Sequence, residues 1–340
     1  MPSPYDLEQA ELSAILSDEP PFRSRQVFDA LHAGHRRFDE MTELPASLRA
    51  RLAVELPDAL LPTVTRTADD GRTTKWAFEL DGGAVIETVL MAYKDRVTVC
   101  VSTQAGCAMG CTFCATGQAG FTRHLSVGEI VEQVVVAARA AAPRRLSNVV
   151  FMGMGEPLAN YDRLYAALER LNGPMGISAR KLTVSTVGHV PGIRRLSEAS
   201  LPVNLAVSLH SANDARRDAL IPLNRRYPLG LLSDVLSDYL ELTRRRISFE
   251  WALIDGVNDS DRDIGELAAY ARPLRAHVNL IPLNPTPGYL VRGSTAQRVA
   301  AFAEALNAEG ITTTVRATRG REIDAACGQL AARAPVELRR

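Results

Sequence analysis

Three cysteines in the run QAGCAMGCTFCATG carry the clearest chemical signature in this chain: Cys107, Cys111 and Cys114. Their C-x-x-x-C-x-x-C spacing brings three thiolates to one small inorganic site. A four-iron cluster that is held by three cysteines keeps one iron without a protein ligand, and that iron can bind a further molecule. The spacing therefore predicts a [4Fe-4S] cluster with one open iron.

Other uses of these cysteines fit the sequence less well. A structural zinc site normally has four ligands, commonly from two C-x-x-C pairs. Only Cys100 and Cys327 remain in the chain, and neither has another cysteine as a close pair. The total of five cysteines is odd, and nothing in the sequence indicates export, so a disulfide framework is not favoured.

Length and composition indicate a globular protein with no membrane segment. The chain has 340 residues, of which 46% are hydrophobic and 23% charged, and this length suits one large domain with a smaller one. No apolar stretch reaches the length of a membrane span, and the N-terminus is polar, so we expect a cytoplasmic protein. The 39 basic and 39 acidic residues cancel, which gives overall charge no weight in favour of nucleic-acid binding.

The chain changes pattern near residue 90. Residues 1 to about 60 show apolar positions at helical spacing, and residues 63–92 alternate like strands around the turn signals DDG and DGG. We expect an accessory domain at 1–90 with helices followed by β-hairpins. The core would occupy 91–330, including the segment that bears Cys327, and a tail would occupy 331–340.

Strand and helix patterns alternate through the core, which predicts an α/β fold with parallel strands and right-handed crossovers. A partial (β/α)6-type TIM barrel and a doubly wound open sheet would both show this alternation. The cluster loop and the motifs below all follow strands at their carboxyl ends, which favours the barrel. The strand-like runs are 96–102, 148–154, 181–186, 202–210, 246–254, 277–283 and 312–318.

Residues that could bind a ligand follow these strands. The second strand ends in GMGEP, where two glycines permit close approach of the backbone and Glu156 offers a carboxylate to an ammonium group. Each of the later polar residues could instead cap a turn, but their placement at one end of the barrel favours a binding site. These later residues are Ser185, Ser208, His210 and Asn284.

Cys100 lies in the predicted strand TVCVST. Its position in the alternation puts it on the same face of the strand as Thr98 and Ser102, and the valines lie on the other face. Because strand side chains alternate between faces, we expect Cys100 on the more polar face, inside the barrel and beside the cluster loop. Cys327 lies far downstream in REIDAACGQL, and its spacing alone assigns it no role.

Several runs occur together along the whole chain: CVSTQAGC, CTFCATG, FMGMGEP, STVGHVPG, AVSLHS, NLIPLNP and IDAACGQL. In these runs and in their order the chain resembles the bacterial dual-specificity adenine-C2 RNA methyltransferases of the radical S-adenosylmethionine superfamily, the RlmN family. The resemblance implies that the [4Fe-4S] cluster is held by Cys107, Cys111 and Cys114. It implies that S-adenosylmethionine is contacted by Gly155, Glu156, Ser185, Ser208, His210 and Asn284.

The resemblance also implies a covalent role for the two remaining cysteines. Cys327 would accept a methyl group and become S-methylcysteine, and Cys100 would form a transient disulfide with it when the product is released. Glu87 falls where the family has a carboxylate proposed as proton acceptor. Without the resemblance, its place on a β-hairpin would predict only a solvated side chain.

The implied product is 2-methyladenosine, formed at adenosine 2503 of 23S rRNA, in the peptidyl-transferase centre, and at adenosine 37 of tRNA. Two S-adenosylmethionine molecules would be used per turnover, a flavodoxin- or ferredoxin-type protein would supply electrons, and the enzyme would act as a monomer. The accessory domain at 1–90 is the candidate region for contact with the RNA. Three other functions stay open at this point. They are an adenine-C8 rRNA methyltransferase of the related antibiotic-resistance family, a radical activase that acts on a protein, and a non-catalytic iron–sulfur RNA-binding module.

Overall fold

The structure is a computed structural model that describes residues 3–284, 286, 291–317, 319–326 and 328–330. Cys327 and the predicted tail at 331–340 lie outside the described residues. The α-helices are α1 (Gln9–Ile15), α2 (Phe22–His32), α3 (Ala46–Glu55), α4 (Ala115–Ala119), α5 (Val127–Ala141), α6 (Tyr161–Asn172), α7 (Val190–Ser197), α8 (Asp214–Leu220), α9 (Leu229–Thr243), α10 (Asp261–Ala271) and α11 (Ala296–Ala308).

Most strands belong to a single large sheet. The strands are β1 (Pro62–Ala68), β2 (Thr73–Glu79), β3 (Val85–Ala92), β4 (Val97–Cys100), β5 (Gln104–Gly106), β6 (Phe121–His124), β7 (Asn148–Phe151), β8 (Leu182–Thr186), β9 (Asn204–Ser208), β10 (Ile247–Leu253), β11 (His277–Pro282) and β12 (Thr313–Val315). Their order in the large sheet is β1-β2-β3-β4-β7-β8-β9-β10-β11-β12, and β5 and β6 form a separate ribbon.

The large sheet is antiparallel from β1 to β4 and parallel from β4 to β12. Helices lie between the parallel strands along the chain, as the alternating pattern predicted. Each predicted strand-like run of the core contains one of these parallel strands, and the predicted partial barrel is confirmed. The carboxyl ends of the parallel strands therefore meet at one end of the barrel, where the predicted site residues lie.

Two features of the sheet differ from the sequence expectations. The β5–β6 ribbon was not predicted, because β5 is only three residues long and ends at Gly106. The predicted limit at residue 90 falls inside β3, whose residues Val89–Ala92 pair with β4. The hairpin strands thus extend the barrel sheet directly, without a linker between the two regions.

The N-terminal segment is held against α5 and α6 by buried polar contacts. Arg170 on α6 is 6% exposed, and its Nη1 donates to the carbonyl oxygens of Tyr5 at 2.9 Å and Leu7 at 2.7 Å. Glu132 on α5 accepts hydrogen bonds from Ser3 Oγ at 2.9 Å and from the backbone N–H of Leu60 at 3.1 Å. Burial raises the pKa of the Glu132 carboxyl to about 7.

One hydrophobic core joins the accessory helices, the hairpin strands and the barrel. Buried Leu12 and Leu52 of the helices and Phe78 of β2 belong to the same cluster as Val149 and Leu205 of the barrel strands. Burial of this shared apolar surface is the main force that holds the regions together. Within the described residues, no helix has both the length and the apolar character needed to cross a bilayer.

Candidate active site

The β5–β6 ribbon holds the loop that carries the three clustered cysteines. Cys107 N donates to Gly120 O at 2.7 Å, which closes the loop at its base. Gly106 has a φ of +77°, and a Cβ at this position would lie 2.0 Å from the carbonyl oxygen of Gly120. Only glycine fits between the two strands here, so the residue before Cys107 determines how tightly the loop closes.

The three thiols line one cavity at the carboxyl end of the barrel, which we call the cofactor cavity. Burial raises the pKa of the Cys107 thiol to about 12. Burial and the neighbouring thiols raise the pKa of Cys111 well above its ordinary value. Buried thiols of this kind lose their protons when they bind a metal, so the donor set suits an iron–sulfur cluster.

No group of three or more His, Cys, Asp or Glu side chains converges on a single ion in the part of the chain that the structure describes. The thiolates of a four-iron cluster bind different irons, so they stand further apart than the ligands of a single ion.

Every residue predicted to contact S-adenosylmethionine also lines the cofactor cavity: Gly155, Glu156, Ser185, Ser208, His210 and Asn284. Ser185 and Ser208 come from the neighbouring strands β8 and β9, and Asn284 follows β11. They converge because parallel strands present their carboxyl ends at one edge of the barrel. The predicted binding residues therefore lie around one cavity with the predicted cluster ligands.

Glu156 is fully buried at the start of a short 3-10 turn. Its carboxylate accepts hydrogen bonds from the backbone N–H of Leu158 at 3.1 Å and of Val187 at 2.9 Å. Burial raises the pKa of this carboxyl to about 7, although the backbone hydrogen bonds act in the opposite direction. Gly155 has a φ of +103°, and a Cβ there would lie 2.6 Å from the Gln104 side chain, so the turn requires glycine.

His210 is buried two residues beyond the end of β9, with a φ of +55°. Its Nδ1 accepts a hydrogen bond from Ala252 N at 2.8 Å, and its ring lies edge-on to Phe113 at 4.7 Å. Burial lowers the pKa of His210 to about 3. Since Nδ1 is an acceptor, the neutral ring carries its proton on Nε2 and can donate from that atom.

A second cavity adjoins the cofactor cavity, and we call it the substrate cavity. Cys100 lines it, as do Ala326 and Gly328, the residues on either side of Cys327 in the sequence. Residues that line both cavities include Cys114, Thr116, Met152, Gly153, Ile281, Asn284, Arg316 and Gly328. The two cavities therefore share a wall, and Cys114 belongs to it.

The segment before and after Cys327 is bound to two different parts of the protein. Lys75 Nζ on β2 donates to the carbonyl oxygen of Asp324 at 3.2 Å. On the other side, Ala115 N donates to Gly328 O at 2.9 Å, and Thr116 Oγ1 donates to Leu330 O at 2.5 Å. Ala115 directly follows Cys114, so this segment contacts both the hairpin sheet and the loop of clustered cysteines.

Glu87 differs from the expectation for a hairpin residue. It is 6% exposed rather than solvated. Its Oε1 lies 3.0 Å from Lys75 Nζ, and its backbone oxygen accepts from Ser102 Oγ at 2.6 Å. One face of the sheet carries the side chains of Glu87 and Val89 on β3 and of Cys100, which pairs with Val89 from β4.

Three charged residues of the site were missed from the sequence: Lys75, Glu250 and Arg316. Arg316 Nη1 lies 3.5 Å from Glu250 Oε2 in the wall of the cofactor cavity. Glu250 is a charged residue inside the apolar strand ISFEWAL, and it pairs in register with Ser208, so strand parity could have indicated it. Lys75 and Arg316 carry no comparable signal, because their contacts come from distant parts of the chain.

Comparison with known proteins defines the class of this enzyme. Residues 101–268 match the family model described as the radical SAM superfamily. The crystal structure of a radical SAM methyltransferase from Sphaerobacter thermophilus superimposes with a TM-score of 0.93 at 50% sequence identity, covering 97% of this chain and 99% of that chain. The fold is therefore that of a radical S-adenosylmethionine enzyme.

More specific relatives are named probable dual-specificity RNA methyltransferase RlmN. The protein from Parafrankia sp. (strain EAN1pec) is 52% identical over 98% of this chain and 92% of its own length. The protein from Chloroflexus aurantiacus (strain ATCC 29366 / DSM 635 / J-10-fl) is 50% identical over 98% of this chain and 94% of its own length. The chain belongs to the RlmN family of radical S-adenosylmethionine RNA methyltransferases. This family uses a [4Fe-4S] cluster and S-adenosylmethionine, and the predicted class of enzyme is confirmed over a protein activase and a non-catalytic module.

Proposed function

We propose that this enzyme methylates C2 of an adenosine in 23S rRNA and in tRNA, with Cys327 as the methyl carrier and Cys100 as the cysteine that releases the product. The observation that carries the proposal is the wall shared by the cofactor and substrate cavities. Cys100 lies in the substrate cavity beside the two sequence neighbours of Cys327. A radical formed in one cavity would then be adjacent to a base in the other.

The cofactor cavity would hold the cluster on Cys107, Cys111 and Cys114. When bound, the cluster and S-adenosylmethionine supply one-electron reduction and radical chemistry. The Glu156 carboxylate would accept hydrogen bonds from the ammonium group of S-adenosylmethionine, and the backbone of Gly155 would lie close to it. Hydrogen bonds to the remaining polar groups of the cofactor would come from Ser185, Ser208, His210 and Asn284.

The substrate cavity would hold an adenine that has left its stack. The Cys327 thiolate would take a methyl group from one S-adenosylmethionine, which would leave as S-adenosylhomocysteine. The radical chemistry supplied by the second would remove one hydrogen atom from this methyl group, whose carbon would then bond to C2 of the base, and the adduct would return its unpaired electron to the cluster. Glu87 would accept the proton that C2 loses. Attack of the Cys100 thiolate on the Cys327 sulfur would form a disulfide, break the bond from that sulfur to the transferred carbon, and leave that carbon to take a proton. An external thiol reductant would return both cysteines to thiols.

The proposed reaction requires RNA substrates, an electron donor and a thiol reductant. The relatives are named dual-specificity RNA methyltransferases, and the two substrates of this enzyme would be 23S rRNA and tRNA. A flavodoxin- or ferredoxin-type protein would deliver electrons to the cluster. Reduced thiols, this donor and the RNA substrates occur together in the cytoplasm, where the protein would act as a monomer.

Complementation of a deletion strain tests the proposal. We expect the wild-type gene to restore 2-methyladenosine in rRNA and tRNA, measured by mass spectrometry of nucleosides. Cys327→Ala should restore none, because the carrier sulfur is missing, while its cluster content stays normal. Methylation of adenosine at C8 instead of C2 would replace the proposal with the antibiotic-resistance reaction.

The purified Cys100→Ala variant tests the product-release step. Without the attacking thiol, the covalent adduct between Cys327 and the RNA should persist, and the protein should carry RNA that withstands denaturation. Cys327→Ala is the matched control and should carry none. A Cys100→Ala protein that is free of RNA and still turns over would contradict the release step.

A further inference from the structure

We propose that Tyr93, Arg96, Arg144 and Arg319 form an RNA-backbone binding site at the mouth of the substrate cavity. We call these four residues the Tyr93 rim. The inference rests on the proposed function, since it concerns how the RNA is held while one base occupies the cavity. The sequence motifs did not indicate this surface, because its residues come from three separate parts of the chain.

Tyr93 lies in the turn between β3 and β4, where its backbone N–H donates to Arg96 O at 2.8 Å. The tyrosine and Arg319 both line the substrate cavity, together with Cys100. The rim therefore borders the cavity that holds one of the two product-release cysteines. Phosphates next to a base in this cavity would therefore lie close to the rim.

Three guanidinium groups converge on this one tyrosine. The guanidinium carbons of Arg96 and Arg319 lie 4.1 Å and 5.0 Å from the centre of the Tyr93 ring. Arg144 Nη2 donates to Tyr93 O at 2.6 Å and to Arg96 O at 3.3 Å. A guanidinium that stacks on a ring keeps its planar set of donors in one orientation, which suits a phosphate oxygen pair.

Among the residues described, two acids lie near the rim: Asp95, beside Arg96, and Asp69, which interacts electrostatically with Arg319. The Asp95 carboxylate lies 3.3 Å from Arg96 and is 73% exposed, and together these two acids are fewer than the three arginines of the rim. Exposed Lys94 adds a further positive charge in the same turn. The whole chain has equal numbers of acidic and basic residues, so this excess is local to the mouth of the cavity.

An RNA strand is the partner that this chemistry fits. Proteins that take up single-stranded nucleic acid combine cationic side chains along the phosphates with an entry for the base. An acidic electron-donor protein could also meet a basic surface. RNA is favoured because the rim borders the cavity that Cys100 lines. Of the three cluster cysteines, Cys114 alone reaches that cavity, at the wall shared with the cofactor cavity, and Cys107 and Cys111 line the cofactor cavity alone.

The test compares Arg96→Gln, Arg144→Gln and the double variant with the wild type. The matched control is Arg195→Gln, since Arg195 also stacks on a tyrosine, 3.9 Å from the Tyr161 ring centre, and lines neither cavity. Binding of an unmodified tRNA transcript is measured by fluorescence anisotropy over a series of KCl concentrations. Iron content and the midpoint of thermal unfolding show that each variant is folded and loaded.

Each rim substitution should weaken binding about five- to eightfold at about 0.1 M salt and reduce the slope of log Kd against log salt by about 0.7 to 0.9. The KM for RNA should rise more than kcat falls. Rim variants that bind the transcript with the affinity and salt slope of Arg195→Gln would overturn the inference. Unchanged RNA binding with slower reduction by a flavodoxin, but not by dithionite, would overturn it in favour of a donor surface.

Failure of the rim proposal can be distinguished from failure of the proposed function. The proposed function would be refuted if the wild-type protein methylates RNA neither in the deletion strain nor in vitro, where the tRNA transcript is the substrate. A wild type that methylates RNA in both settings, with rim variants equal to the control, would refute the rim alone.

Discussion

The carboxyl group of Glu156 gives the cofactor cavity a titratable group close to neutral pH. It is fully buried, and burial raises its pKa to about 7 even though two backbone N–H groups favour the carboxylate. The nearby His210 ring does not titrate in this range, since burial holds its pKa near 3. Changes in cofactor binding just below neutral pH should therefore report on Glu156.

We expect the affinity for S-adenosylmethionine to fall as pH drops below about 7, approaching tenfold per pH unit, because the ammonium of the ligand needs the ionised carboxylate. Glu156→Gln should bind weakly and show no such dependence. Equilibrium dialysis of the reconstituted enzyme measures both.

Ser185→Ala is the control for this effect, since it removes one hydrogen bond from the cavity and keeps the carboxyl group. Its affinity should be lower at every pH, with the same pH dependence as the wild type. A wild-type affinity that stays constant between pH 6 and pH 7 would exclude Glu156 as the ammonium partner.

Among the structural elements, the segment around Cys327 depends on contacts that the hairpin provides. Lys75 on β2 joins the carbonyl oxygen of Asp324 to the carboxylate of Glu87, and its side chain is 9% exposed. The loss of one member of a buried ion pair is costly because the other charge stays in a poorly solvated place. Lys75 thus connects the stability of the hairpin to the position of the C-terminal segment.

Lys75→Met should lower the free energy of unfolding by up to about 3–5 kcal/mol, measured by chemical denaturation. If Cys327 carries the methyl group as proposed, the variant should also raise the amount of 5′-deoxyadenosine formed per methylated adenosine, because Asp324, three residues before Cys327, loses its hydrogen bond from Lys75. Lys75→Arg should restore much of both properties.

Arg72→Met is a matched control in the same hairpin. Arg72 pairs with Asp70 at 3.1 Å, but the two side chains are 56% and 92% exposed. Removal of this exposed pair should cost less than about 1 kcal/mol and leave the product ratio unchanged. Equal effects of Lys75→Met and Arg72→Met would contradict the role of Lys75.

The elements also show where sequence patterns are informative. Alternation of apolar residues located the barrel strands within a few residues, and strand parity placed Cys100 on a face that lines a cavity. The β5–β6 ribbon carries too few apolar residues to show a period. The contact of Lys75 with Glu87 depends on the register of β2 against β3, and burial of Glu87 depends on its neighbours in the sheet. Neither property is encoded in a local pattern.

At the scale of the whole molecule, the accessory helices and the barrel share one core, and Arg170 adds a buried polar connection between them. Its guanidinium contacts the backbone of Tyr5 and Leu7 and the carboxylate of Glu8 at 2.6 Å. Regions joined in this way are expected to unfold together.

We expect a single unfolding transition in urea for the wild type, observed identically by circular dichroism and by tryptophan fluorescence. Arg170→Met should lower the stability by about 3–5 kcal/mol, because several buried acceptors lose their donor. Arg194→Met, on the exposed part of α7, should change stability by less than about 0.5 kcal/mol. Two separate transitions in the wild type would show that the regions fold independently.

The direct pairing of β3 with β4 also limits how this enzyme can be shortened. A fragment that begins after the hairpins would expose the whole backbone edge of β4, including the strand position of Cys100. Uncovered edges of this kind pair with other chains and aggregate, and an exposed thiol on such an edge would oxidise. The smallest practical catalytic fragment therefore includes the hairpin strands, and engineered fusions belong before the N-terminal helices rather than at the apparent domain limit.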